Sequence, residues 1–80
     1  MNDLELRQIF KDVFLVSNDW EIDTANLGVL KAWDSFSHMR LFVEIEERFG
    51  IDPIDPQTIS KLTSYEAISK YLRAIKQRES

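Results

Sequence analysis

Residues 34–50 carry the clearest helical pattern in the chain and limit the possible fold more than any other feature. Large apolar residues recur there at helical spacing, at Leu41, Phe42, Ile45 and Phe49. Asp34 or Ser35 can cap the start of this pattern, and Gly50 readily adopts the left-handed conformation that ends many helices. The sequence therefore predicts a helix from Asp34 or Ser35 to about Phe49.

The same reasoning predicts helices at both ends of the chain. The first covers residues 3–16, where apolar residues repeat at helical spacing and Asn2 and Glu5 form a capping box. The last opens at Thr63, which is placed to form a second capping box with Glu66. Basic residues gather toward its C-terminal end, where the helix dipole favours positive charge.

A short third helix is predicted ahead of the last one. Asp55 can cap it, Pro56 suits its first position, and it should end near Leu62. No strand pattern competes with these helices. We therefore predict an all-α fold: one domain over residues 1–80, a four-helix bundle with three longer helices, one short third helix and a long first loop.

The long first loop spans residues 17–34 and is too apolar for a free linker. A connection of this length inside a small domain is usually functional or packed on its own side chains. We expect it to lie across the helices, with Leu27 and Leu30 facing inward and room for a short helical turn.

Composition narrows the class of protein. Eighty residues, 44% of them hydrophobic and 30% charged, suit one small folded domain with a thin core. The chain has no cysteine, which excludes disulfides, thiolate metal sites and cysteine nucleophiles. No apolar run approaches the roughly 20 residues of a membrane span, and the first residues lack the order of a signal peptide. We expect a cytoplasmic monomer without membrane insertion, and a free-standing one because the chain begins with methionine and has no flanking linkers.

Acidic residues dominate the middle of the chain. Between Ser17 and Pro56 there are nine acidic and three basic residues, a net charge of −6 where the whole chain carries −4. An acidic segment repels nucleic acid and anionic membranes and attracts basic protein surfaces. The charge therefore indicates protein partners and no nucleic acid, although solubility alone also accounts for an acidic domain.

The helix predicted to start at Asp34 or Ser35 has two apolar faces when its residues are placed about 100° apart. One includes His38 and is an ordinary core face. The second, here called the outer face, lies roughly 130° away. It consists of Phe36, Met39 and Val43, and beside it stand Arg40, Glu44 and Glu47. Either the first loop folds over the outer face, or the face binds a partner protein, since aromatic residues and methionine suit that role.

Ser35 falls between the two faces and follows Asp34. Both residues are good N-caps, and capping alone would explain them. Catalysis by Ser35 is not expected, because His38 points with the core face and the chain has no nucleophile elbow or orienting acid. A helix N-terminus favours a phosphate, however, and Asp34 is placed to share a Mg²⁺ ion that a phosphate-transferring enzyme brings. We therefore expect that the protein is not an enzyme and has no resident metal, and that Ser35 is better suited to being modified than to catalysis.

A family resemblance lies in residues 32–51, AWDSFSHMRLFVEIEERFGI, which resemble the Asp-Ser-Leu motif and second helix of acyl carrier proteins. The matching residues are Asp34-Ser35-Phe36, Leu41, Phe42, Ile45, Glu46-Glu47, Phe49 and Ile51. Residues 60–72, SKLTSYEAISKYL, are similar to the start of the family's last helix. The resemblance covers essentially the whole chain.

The resemblance implies an acyl-carrier-like bundle and a carrier function. A phosphopantetheinyl transferase would attach 4′-phosphopantetheine from coenzyme A to Ser35, with Asp34 helping to hold Mg²⁺ during the transfer. The arm would carry acyl or aminoacyl groups as thioesters. The outer face and its charged neighbours would dock the transferase, the loading ligase and downstream acyl-transfer enzymes. The alternative is an unmodified helical module that binds a partner through the outer face.

Several residues depart from the family pattern. Phe36 replaces the usual leucine, Trp33 a smaller residue, and Arg40 a position that is often acidic in fatty-acid carriers. These departures favour a specialised pathway, such as secondary metabolism or amino-acid transfer, over the housekeeping fatty-acid carrier. Asp34 argues against peptidyl carrier domains, which usually have histidine there. The cargo is generally chosen by the loading enzyme, so the sequence does not identify it.

Overall fold

The computed structural model describes residues 3–79, and the side chains of residues 4–75. The chain forms five α-helices: α1 (Asp3–Phe14), α2 (Asp19–Asp23), α3 (Ser35–Phe49), α4 (Pro56–Lys61) and α5 (Tyr65–Glu79). Across residues 3–79 there is no β-strand, and only two isolated β-bridges occur. The all-α prediction is confirmed, but the number of helices was wrong by one, because the first loop contains α2.

The local signals at α3 and α4 act as predicted. Asp34 caps α3, with its Oδ1 accepting a hydrogen bond from the Ser37 amide at 2.9 Å. Gly50 ends α3 in the left-handed conformation, at φ 62°. Asp55 caps α4 by accepting hydrogen bonds from two backbone amides, and Pro56 occupies the first helical position. These ends need only nearby residues, which is why the sequence predicts them.

Two helix ends differ from the prediction. Helix α1 ends at Phe14 rather than Val16, because Leu15 adopts the left-handed conformation at φ 58°. Helix α5 begins at Tyr65 and is capped by Ser64, whose Oγ accepts a hydrogen bond from the Ala67 amide at 3.1 Å. The predicted capping box of Thr63 with Glu66 is therefore wrong. The box of Asn2 with Glu5 lies partly outside the described residues.

Thr63 binds the first loop through its backbone and does not cap α5. Its carbonyl accepts a hydrogen bond from the Leu27 amide at 2.8 Å, and the Ala25 carbonyl accepts one from the Tyr65 amide at 3.1 Å. These two bonds tie the loop to the junction of α4 and α5. Leu27 and Leu30 are half-buried against the core, as predicted. The loop is therefore a fixed part of the fold.

The centre of the core is a cluster of aromatic rings around Trp33, which is 1% exposed. The Trp33 ring stacks on Phe14 with centroids 5.2 Å apart and meets the edge of Phe10 at 5.4 Å. Phe10 in turn meets the edge of Tyr65 at 5.2 Å. Trp33 precedes α3, whereas Phe10 and Phe14 belong to α1 and Tyr65 begins α5. The cluster therefore joins the loop to two helices.

Trp33 is also linked by hydrogen bonds to α3 and α4. Its Nε1 donates to His38 Nδ1 at 2.9 Å, and His38 Nε2 donates to the Ile59 carbonyl at 2.8 Å. The indole N–H can only donate and the carbonyl can only accept, so His38 is fixed as the Nε2–H tautomer. We call these residues the Trp33–His38–Ile59 chain. His38 is 6% exposed, which confirms the packed imidazole predicted for it.

Replacing Leu15 by glycine is expected to stabilise the protein. Leu15 is 87% exposed, so little packing is lost, and glycine adopts a positive φ without a clash at Cβ. We expect the free energy of unfolding to rise by about 0.5–1 kcal/mol, measured by urea denaturation. Leu15→Ala is the matched control, since it removes the same side chain but keeps Cβ. Equal stability of the two variants would contradict this account.

Replacing Trp33 by phenylalanine is expected to destabilise the fold. The change leaves the buried His38 Nδ1 without its donor, at a cost of about 1–3 kcal/mol, and removes core volume as well. Trp20→Phe serves as control, because Trp20 is 66% exposed. Urea unfolding followed by circular dichroism would show the difference. A Trp33 variant as stable as the Trp20 variant would count against the hydrogen-bonded chain.

Candidate functional site

Ser35 is the first residue of α3 and is exposed. Its position follows from the cap: Asp34 turns the backbone into the helix and accepts the Ser37 amide, so the side chain between them is left at the helix mouth. The Trp33–His38–Ile59 chain holds the residues on both sides of it, since Trp33 precedes Asp34 and His38 lies three residues beyond Ser35. Ser35 is therefore an exposed residue on a firmly held backbone.

The pKa of the Asp34 carboxyl lies below its usual value. The main cause is the hydrogen bond from the Ser37 backbone amide, which favours the ionised form. Asp34 is exposed, so this carboxylate is a negative charge at the surface, directly beside Ser35. The structure thus places an ionised carboxylate at the surface next to the exposed residue Ser35.

An apolar groove of about 360 Å³ lies next to Ser35. We call it the Ser35 groove. It runs between the first half of α3 and α4, with residues of the first loop and of the α4–α5 junction at its sides. Its lining consists of Leu27, Ser35, His38, Met39, Pro56, Ile59, Ser60 and Thr63. Two members, His38 and Ile59, are joined by the 2.8 Å hydrogen bond and close the groove toward the core.

The outer face of α3 is open. Phe36 is 81% exposed, Met39 56% and Val43 51%. The first loop does not cover them, so the explanation of the outer face as additional core is wrong. Because the loop is fixed to the α4–α5 junction, it packs elsewhere. Met39 lines the Ser35 groove and also belongs to the outer face, so the two surfaces meet beside Ser35.

The charged residues beside the outer face are not equivalent. Arg40 and Glu47 are exposed, and their side chains form no hydrogen bond or ion pair within residues 4–75. Glu44 instead pairs with Arg48 at 3.1 Å, and Arg48 also binds Asp12 of α1 at 2.8 Å. Arg40 and Glu47 are therefore free to meet a partner, whereas Glu44 already helps to hold α1 against α3.

Two structural residues of this region were missed by the sequence analysis. Trp33 was noted only as a departure from a family pattern. The available signal was His38, because a histidine predicted on a core face needs a polar partner, and Trp33 supplies it. Glu46 was named only as part of the acidic pair of the family resemblance. Its Oε2 accepts a hydrogen bond from the Ile54 amide at 2.9 Å, which fixes the segment ahead of α4. On the helical wheel Glu46 lies close to Ser35, between the core face and the outer face. That position was the one sequence signal that Glu46 is not on the fully polar side of α3.

Other kinds of site receive no support from the described residues. Among them, no group of three or more His, Cys, Asp or Glu side chains could hold a metal ion. None of the helices in the described part is long and apolar enough to cross a lipid bilayer.

Comparison with known proteins gives no relative. No protein-family model matches the chain, no curated protein matches it, and no solved structure matches it. The resemblance to acyl carrier proteins therefore stays a prediction, and the function has to be argued from the residues and the geometry around Ser35.

The lowered pKa of Asp34 predicts a pH-dependent stability. A carboxyl whose pKa is lower in the folded state stabilises the fold above its unfolded value, here 3.8, and this contribution is lost as the pH falls through the folded pKa. Asp34→Asn keeps a capping side chain without the charge. We expect wild type to melt above this variant at pH 7, with the difference shrinking below pH 3.8. A difference in melting temperature that is constant between pH 7 and pH 3 would contradict the assignment.

Proposed function

We propose that this protein is a carrier of the acyl carrier type, with an acyl-carrier-like helical bundle. In this proposal, Ser35 bears a 4′-phosphopantetheine arm, and acyl or aminoacyl groups travel on the arm as thioesters between partner enzymes. The protein itself catalyses no reaction. Its place of action is the cytoplasm, where coenzyme A and a phosphopantetheinyl transferase supply the modification.

The observation that carries the proposal is the exposure of Ser35 at the first position of α3. A capping serine would serve the fold through its side-chain oxygen, but in this protein Asp34 already caps α3. The Ser35 hydroxyl is therefore not needed for capping, and the exposure of Ser35 supports its being reached by a modifying enzyme. An arm attached there would have the apolar Ser35 groove on one side and the outer face on the other.

Asp34 has a defined part in the proposed modification. The Ser35 Oγ would form a bond to the phosphorus that carries the pantetheine of coenzyme A, the bond from that phosphorus to adenosine 3′,5′-bisphosphate would break, and the hydroxyl proton would be released. A phosphate next to the ionised Asp34 carboxylate is electrostatically unfavourable on its own. A Mg²⁺ ion brought by the transferase would bind both groups and offset this repulsion.

The remaining surface suits partner enzymes that approach Ser35. Phe36, Met39 and Val43 offer apolar anchors next to the attachment point, and aromatic residues and methionine are enriched in protein interfaces. Arg40 and Glu47 add one free charge of each sign. The chain has no cysteine, so the thiol that carries the cargo would come from the arm alone.

An unmodified interaction module is the second candidate function. The observation in its favour is the same exposed outer face, because an exposed apolar patch on a small protein marks a binding surface with or without a modification. In that case, Ser35 is a surface serine at a helix start and has no further role. The two candidates therefore differ in what happens at Ser35.

Incubation with coenzyme A, Mg²⁺ and a broad-specificity phosphopantetheinyl transferase tests the proposal. We expect the intact mass of the protein to increase by one phosphopantetheine. The increase should be lost in Ser35→Ala and retained in Ser37→Ala, a neighbouring serine that serves as matched control. Asp34→Asn should fold but be modified more slowly, since the variant keeps a cap and loses the carboxylate that would share Mg²⁺.

The controls separate the two candidates. If wild type gains no mass while a known carrier in the same reaction is modified, the carrier proposal fails and the interaction module remains. If Ser35→Ala gains as much mass as wild type, the attachment site is wrong.

A further inference from the structure

We infer that the Trp33–His38–Ile59 chain closes the floor of the Ser35 groove, so that an acyl group on the arm stays at the surface whatever its chain length. The inference rests on the proposed carrier function and adds to it where the cargo lies. His38 is the residue that keeps the groove closed.

An apolar chain attached at Ser35 would reach the core through the Ser35 groove. The groove lies between α3 and α4, and a long chain would gain most by passing between these helices into the core, away from water. At the floor, however, His38 Nε2 donates to the Ile59 carbonyl at 2.8 Å. This bond directly joins the two helices that would have to separate.

Behind His38 lies the aromatic cluster of the core. The imidazole stacks on Trp33, with centroids 5.9 Å apart and ring planes at 26°, and meets the edge of Phe42 at 5.1 Å. Beyond Trp33 lie Phe10 and Phe14, whose ring centroids are 5.4 and 5.2 Å from the Trp33 ring. All of these side chains are at most 6% exposed. The space behind the groove is thus filled by a continuous series of packed rings.

A long chain that entered the core would bury apolar surface but break buried hydrogen bonds. To enter, it would have to displace His38, which would leave the buried Trp33 indole N–H and the imidazole without partners. The Ile59 carbonyl would lose one of its two donors and keep the Leu62 amide at 3.2 Å. Buried polar groups without partners are strongly disfavoured. A short or polar group has no comparable apolar surface to bury, so it remains in the groove, where hydroxyls of Ser60 and Thr63 stand among apolar side chains.

The test uses the acyl-loaded protein. Acetyl, octanoyl and hexadecanoyl coenzyme A serve as donors for the broad-specificity transferase, and cleavage of each thioester by hydroxylamine is followed by intact mass. We expect the same cleavage rate for all three chain lengths. In ¹H–¹⁵N spectra of the octanoyl form, amide shifts are expected around the groove, at Leu27, Met39 and Ser60, and none at the core residues Ile9, Ile45 and Ile68.

Two variants examine the role of His38. His38→Leu removes both hydrogen bonds and replaces the imidazole with an apolar side chain, so octanoyl and hexadecanoyl thioesters should become protected relative to acetyl. His38→Gln can still accept from Trp33 and donate to Ile59, so it should behave like wild type. The cleavage rates and spectra of the wild type alone can overturn the inference, so the test does not depend on whether His38→Leu folds.

The outcomes are distinct. If no acyl coenzyme A loads the wild type, the proposed function fails and this inference with it. If loading succeeds but wild-type protection grows with chain length, or core amides shift, the inference alone is overturned. Equal cleavage rates together with protection that appears only in His38→Leu support it.

Discussion

The hydrogen-bonded chain from Trp33 through His38 to the Ile59 carbonyl is the interaction on which the rest of this structure depends. It links the end of the first loop, the first turn of α3 and the short helix α4. A short helix has little intrinsic stability, so α4 needs such an attachment to stay in place. The aromatic rings packed around Trp33 keep water away from these hydrogen bonds. The bonds are stronger in this interior than they would be in water.

The fixed backbone around this chain explains why Ser35 is exposed. Asp34 supplies the cap, His38 points into the core, and the first loop is tied to the α4–α5 junction through Leu27. None of these contacts uses the Ser35 hydroxyl or covers the outer face of α3. An exposed serine and an exposed apolar face are thus left next to each other. The proposed carrier function requires this arrangement, a rigid base for a mobile arm.

The parts of the fold that sequence reasoning predicted are those set by nearby residues. Asp34 and Gly50 bound α3, and Asp55 caps α4, because caps act over three or four positions. Reasoning failed where distant segments compete. Thr63 and Ser64 are equally good caps by composition. In the structure the Ser64 hydroxyl caps α5, and the Thr63 carbonyl accepts a hydrogen bond from the Leu27 amide of the distant first loop. The partnership of Trp33 with His38 depends likewise on three-dimensional packing. The candidate site was predicted residue by residue, whereas its groove was not, because α4 and the loop complete it.

The central claim is that Ser35 is an attachment point, and the protein isolated from its own cells tests it most directly. Trypsin cleavage after Lys31 and Arg40 releases residues 32–40, which contain Ser35 and Ser37. Tandem mass spectrometry of this peptide should locate a phosphopantetheine on Ser35. A peptide that is unmodified throughout, or that carries the group on Ser37, would contradict the account.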